Sequence, residues 1–76
     1  MSVTTQTVRL NGENRSIAPG TTVDHLVALL EAEGSKIDRR AIAVEVNRMI
    51  VPRSTYKEHT LQHEDEIEIV TIVGGG

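Results

Sequence analysis

The chain has no cysteine, tryptophan or phenylalanine, and Tyr56 is its single aromatic residue. Without cysteine, neither disulfides nor thiolate metal sites can staple the fold, so cohesion must come from aliphatic packing. Nine valines, seven isoleucines and five leucines are available for that. No unbroken apolar stretch is longer than the five residues Leu26 to Leu30, far below the ~20 residues of a membrane span. No charged-then-apolar leader opens the sequence. A soluble, cytoplasmic protein without a membrane partner is therefore expected, and the lack of cysteine agrees with a reducing compartment. Too few aromatics for base stacking, together with a net charge of −3, argue against a nucleic-acid partner.

Seventy-six residues make one small domain, which buries only about 60 to 65% of its extended surface and has no room for a deep active site. Residues 1–6 read as a loose N-terminal extension, 7–73 as the folded domain and 74–76 as a flexible glycine tail. From Thr7 the alternation of Val8 and Leu10 with Thr7 and Arg9 predicts a half-buried strand. Asn11-Gly12 is a strong hairpin signal leading to a second strand, Asn14 to Ile17. Ala18-Pro19-Gly20 ends that strand, and Thr21 or Thr22 can cap a helix with Asp24 in its first turn. Val23, Leu26, Val27 and Leu30 put one apolar stripe on that helix, and Gly34 is its expected stop.

After the charged connector Lys36 to Arg40, Ile42, Val44 and Val46 alternate with Ala43 and Glu45, as in a strand with one buried face. Asn47-Arg48 turns into the short run Met49-Ile50-Val51, which Pro52 ends. Ser54 to Glu58 can form a single helical turn capped by Ser54. The last strand follows the polar turn His63-Glu64-Asp65. A right-handed crossover through the helix lets this strand lie parallel to the first, in the middle of the sheet. The expected class is α+β: a ubiquitin-like β-grasp, with a mixed four- to five-stranded sheet wrapped around one main helix.

On the last strand Ile67 and Ile69 share the inner face, and Val70 and Ile72 share the outer face with Glu66 and Glu68. Val70, Ile72 and Val73 thus form a candidate apolar docking spot beside the tail. Glu64, Asp65, Glu66 and Glu68 crowd the start of the same strand, a patch suited to a basic protein partner.

The sequence closes on Gly74-Gly75-Gly76. Glycine is costly to order and has no side chain to pack, so this triplet adds little to a fold, but it passes through channels too narrow for a Cβ and presents a main-chain carboxylate. A carboxylate is a poor electrophile and needs activation, and nothing in the chain can supply it. There is no phosphate loop of the form G-x-x-x-x-G-K-[ST] and no nucleophile paired with a base. His25, His59 and His63 read as solvated, with no third ligand beside the His59 and His63 pair, so neither a metal nor a cofactor is expected. The chain is expected to be acted upon and not to be an enzyme.

Asn11-Gly12, Pro19-Gly20-Thr21-Thr22-Val23, Val44-Glu45-Val46-Asn47, Ile50-Val51-Pro52-Arg53, Ile67-Glu68-Ile69-Val70 and Val73-Gly74-Gly75-Gly76 together resemble the thiamine-biosynthesis sulfur carriers, the ThiS family. The resemblance runs from Val8 to the end. It implies a carrier whose C-terminal glycine, here Gly76, is adenylated by an E1-like adenylyltransferase (ThiF-like), with Gly74 and Gly75 as the slender approach. The resulting thiocarboxylate, loaded from a sulfur donor protein, would give its sulfur to a thiazole synthase (ThiG-like). ATP and any zinc would belong to the activating partner. Tyr56 stands where the family commonly has tryptophan, and Glu64-Asp65 where it usually has Gly-Asp; a positive φ at Glu64 would then cost ~1 kcal/mol.

Neighbouring readings share parts of this pattern. The small subunit of molybdopterin synthase is also a β-grasp sulfur carrier, but its tail usually follows a proline-containing stretch, and none lies between Pro52 and Gly76. A ubiquitin-like protein modifier shares the glycine end. Pro19 to Thr71 also resembles the TGS domain, a binding module of larger proteins that act on nucleotides or RNA.

Overall fold

The computed structural model describes residues 5–34 and 37–72. Residues 1–4 of the expected extension, Lys36 in the connector, and Val73 with the three tail glycines lie outside the described residues. Strands β1 (Gln6–Leu10) and β2 (Glu13–Ile17) form an antiparallel hairpin with Leu10 opposite Glu13. Positive φ at Asn11 (49°) and Gly12 (85°) gives the two-residue turn whose twist matches that of the strands. The hairpin is slightly longer than expected, because Gln6 pairs with Ile17 and joins the sheet instead of the N-terminal extension.

Helix α1 (Val23–Ala32) buries Val23, Leu26, Val27 and Leu30, as the spacing predicts. Thr22 is its cap. The Thr22 hydroxyl accepts from the His25 amide at 3.2 Å, and His25 Nδ1 accepts from the Thr22 amide at 3.4 Å, so an imidazole takes the part usually played by Glu in a capping box. The amides of Val23 and Asp24 donate to the carbonyls of His59 (2.9 Å) and Tyr56 (3.1 Å). Donors that a helix start leaves unpaired are thereby satisfied by a distant loop. Gly34, with φ of 88°, ends the helix. Arg39 then reaches back to Asp24 (2.8 Å) and Glu31 (3.1 Å), tying the connector to the helix face.

Strands β3 (Ile42–Val46) and β4 (Met49–Val51) form a second antiparallel hairpin, turned by Asn47 and Arg48 at φ of 53° and 69°. The expected helical turn from Ser54 to Glu58 needs correction. A 3₁₀ turn covers Arg53–Thr55, begins after Pro52 and has no side-chain cap; the Thr55 hydroxyl donates to the Pro52 carbonyl at 2.8 Å instead. Proline pre-sets the φ that opens such a turn, so Ser54 is not needed as its start.

Strand β5 (Glu66–Thr71) completes a sheet of order β2-β1-β5-β3-β4. It is parallel to β1 and antiparallel to β3, which places the last strand in the middle of the sheet as expected. The core between sheet and helix is aliphatic, with Leu26, Leu61, Ile67, Val8, Val23, Val27 and Val44 fully enclosed. The Tyr56 ring joins this cluster at 4% exposure, and burial pushes its phenol pKa above the usual 10.0.

Glu64 adopts φ of 70° in the turn before β5, the conformation in which a side chain is strained and glycine is not. Its amide donates to the Thr7 carbonyl at 2.7 Å, and that long-range bond holds the turn in place. Glu64→Gly is expected to stabilise the domain by about 0.5 to 1 kcal/mol, the relieved strain outweighing the added freedom of the unfolded chain. Urea unfolding of both proteins checks this, with a raised midpoint at unchanged slope as the expected result.

Candidate functional site

The candidate site is the end of β5 and the sheet face around it. On the β3 side the ladder continues to Ile42 opposite Thr71, and the Ile72 amide then donates to the Ala41 carbonyl at 2.7 Å. On the β1 side the last backbone pair is Leu10 with Ile67. Beyond it a side chain takes over: Asn11 Oδ1 accepts from the Ile69 amide at 2.9 Å, and Asn11 Nδ2 donates to the Ile69 carbonyl at 3.3 Å.

A second asparagine works at the start of the strand. Asn47 Oδ1 accepts from the Glu66 amide at 3.0 Å, its own amide donates to the Glu66 carbonyl at 2.7 Å, and its Nδ2 donates to Asp65 Oδ1 at 2.9 Å. Both asparagines occupy the first position of a two-residue hairpin turn, where positive φ suits their type. The turn chemistry is readable from sequence. The grip of each carboxamide on β5 is not, because it joins residues far apart in the chain.

Val70 and Ile72 are about half exposed, at 48% and 50%, on the outer face of the sheet. Val70 lies opposite Ala43. They are joined on that face by Ile50 of the edge strand, which is 69% exposed and was not foreseen as a surface residue. The signal for it was present: Val51 must face the core, so in a strand of three residues Ile50 faces out. Val73, the third residue of the expected docking spot, lies outside the described residues, as do Gly74, Gly75 and Gly76.

The acidic patch is thinner than its sequence suggests. Glu64, Glu66 and Glu68 are exposed, but Asp65 is buried at 8% exposure. Its carboxylate accepts from Asn47 Nδ2 and, through Oδ2, from the Gln62 amide at 2.7 Å. Asp65 therefore fastens the turn that launches β5 and is not displayed to a partner. The remaining glutamates share the outer face with arginines. Arg9 stands opposite Glu66, and Arg9, Glu45, Arg48, Glu66 and Glu68 line a shallow hollow of about 300 Å³.

The histidines do not converge. His25 sits in the helix cap, and His63 Nδ1 accepts from the Thr7 amide at 3.1 Å, so His63 is a strand fastener as well as a surface residue. Among the described residues no three His, Asp or Glu side chains are grouped to hold a metal ion. Among them, too, no helix is long and apolar enough to cross a membrane.

One amphipathic helix held by a mixed sheet of order β2-β1-β5-β3-β4, with the final strand central and parallel to the first, defines a ubiquitin-like β-grasp protein. The ThiS family model matches residues 8–76, and the chain belongs to that family. A crystal structure of the thiamine biosynthesis protein ThiS from Geobacter metallireducens superposes with a TM-score of 0.80 over 93% of this chain and 100% of that one, at 22% identity. Two proteins named thiazole synthase are also similar. That of Paramagnetospirillum magneticum is 39% identical over 67 residues, 88% of this chain and 19% of its own length. That of Magnetococcus marinus is 39% identical over 69 residues, 91% of this chain and 20% of its own length. The chain thus spans about a fifth of these two relatives. An uncharacterized protein, ycf40, from Pyropia yezoensis is 28% identical and is matched over 90% of its length.

Replacing Asp65 by Ala leaves Asn47 Nδ2 and the Gln62 amide without their acceptor. A loss of about 2 to 4 kcal/mol is expected, since both bonds end on a charged group in a buried place. Chemical unfolding measures it directly, and a loss below about 1 kcal/mol would return Asp65 to the surface patch.

Proposed function

We propose that this chain is a sulfur carrier of thiamine biosynthesis, with the α-carboxylate of Gly76 as the carrying group. The observation that carries the reading is the family match, which extends from Val8 through the glycine run. The fold supports it: β5 is held on both sides and leads directly towards that run. Small residues there suit insertion into a narrow channel of another protein.

Activation would begin with attack of the Gly76 carboxylate on the α-phosphorus of ATP, forming the acyl adenylate and releasing pyrophosphate. A sulfide equivalent from a sulfur donor would then attack the carbonyl carbon. The C–S bond forms as the bond to AMP breaks, and the thiocarboxylate remains. Both steps belong to the E1-like partner, which would also bring ATP and any zinc, and the carrier itself has no catalytic part. The two relatives named thiazole synthase favour a thiazole-forming enzyme as the acceptor over a molybdopterin-forming one. Such work belongs in the cytoplasm.

Incubation with an E1-like adenylyltransferase, ATP and a sulfur donor should raise the intact mass by the difference between one sulfur and one oxygen. Deleting Gly76 should abolish that gain. An unchanged mass, in the presence of a partner that charges its own carrier, would overturn the reading.

Docking on the partner is assigned to the outer face beside the tail, where Val70 and Ile72 are exposed. Val70→Asp and Ile72→Asp should each weaken the complex with the E1-like partner by about tenfold or more. Thermal stability should stay near that of the unaltered chain, because neither side chain is part of the enclosed core. Calorimetric titration and a thermal melt report the two properties separately.

A further inference from the structure

We infer that Asn11 is a positioning residue for the carrier end, its carboxamide fixing the line along which β5 leaves the sheet; the inference rests on the carrier reading. Past Leu10 the β1 backbone turns away into its hairpin, and Leu10 opposite Ile67 is the last parallel pair. The amide and carbonyl of Ile69 still face that side. Asn11 satisfies both, at 2.9 Å and 3.3 Å, and so stands in for a strand residue that β1 does not provide. Among the described residues the final turn of the ladder towards the tail is therefore held by β3 on one side and by this one side chain on the other.

The turn does not by itself choose asparagine. Glycine and aspartate also suit its first position. Ile69 discriminates between them: it presents a donor and an acceptor together, glycine offers neither partner, and aspartate can only accept. Without the carboxamide, Ile69 to Thr71 would be held through β3 alone and could swing about that ladder. Four residues follow Ile72 in the sequence and span at most about 14 Å when extended. A change of direction at Ile69 would thus displace the point from which the glycine tail starts towards the reacting centre, and a misplacement of ~1 Å at a reacting group can cost ~100-fold in rate.

Asn47 is a natural control. It has the same place in its hairpin, φ of 53°, and also bonds β5, but at Asp65 and Glu66, the end remote from the tail. The test compares Asn11→Gly, Asn11→Asp and Asn47→Gly in the full chain, using thiocarboxylate formation with an E1-like adenylyltransferase, amide hydrogen exchange and thermal melting.

Asn11→Gly is expected to speed exchange at the Ile69 amide about tenfold, the consequence of a lost hydrogen bond. It should also lower kcat about five- to tenfold with KM unchanged, because the docking face is intact while the reacting end is misdirected. Asn11→Asp, which keeps the acceptor, should protect the Ile69 amide and still lower kcat. Asn47→Gly should lower the melting temperature yet leave kcat and KM within about twofold. Unchanged kcat in Asn11→Gly, or equal losses of kcat in Asn11→Gly and Asn47→Gly, would make Asn11 a purely structural residue and overturn the inference alone. Failure of the unaltered chain to be charged by a partner active on its own carrier would overturn the carrier reading and this inference together.

Discussion

The pairing of β5 on both flanks is the constraint on which the rest of the molecule depends. Because β1 and β5 are parallel, the chain must cross over between them. Helix α1, placed between β2 and β3, carries it from one side of β5 to the other. Once β5 is inserted, the N-terminal hairpin and the β3–β4 hairpin become parts of one sheet, and the inner faces of all of them close over Leu26, Val27 and Leu30. The helix start is closed by the same arrangement, since the loop that leads back to β5 brings the carbonyls of Tyr56 and His59 onto its first amides. A domain with one aromatic residue and no covalent staples obtains its order from such mutual dependence of local elements.

Polar groups around β5 do two different jobs. Asp65, Asn47 and Asn11 are spent inward, on the turn and the two margins of the strand. Glu66 and Glu68 alternate outward with Arg9, Glu45 and Arg48 nearby, and give the outer face its mixed charge. Val70 and Ile72 lie at the other end of that face, while Ile50 stands opposite Glu45 on the edge strand. Rim charges of this type guide encounter and orientation, whereas apolar contacts supply most of the grip once partners meet.

Much of the fold was legible in the sequence because its signals are local. Asn11-Gly12 and Asn47-Arg48 announce their turns, and the helix stripe and the alternation in β3 place the core residues directly. The positive φ at Glu64 was foreseen only through the family resemblance, in which glycine usually stands at that position. What escaped were roles that depend on distant partners. Asp65 looks like one more surface acid until Asn47 and Gln62 are brought beside it. His63 looks solvated until Thr7 is placed next to it, and the turn after Pro52 was assigned to Ser54 because a serine cap is a familiar local signal. Of the candidate site, the alternation exposing Val70 and Ile72 was readable, as was the outward side of Ile50 from its place before Val51; how much of Ile50 stays exposed depends on β4 being an edge strand.

The central place of β5 also determines how the domain bears load. A force applied to the C-terminal end of that strand acts along its axis, at a steep angle to the ladder bonds that join it to β1 and β3. Those bonds then resist in shear and share the force, where a peeled edge strand would surrender them one at a time. The edge positions belong to β2 and β4, so the strand nearest the glycine run is the one least able to be unzipped. Traction on that run would sooner move the domain as a rigid body than draw the strand out of its sheet.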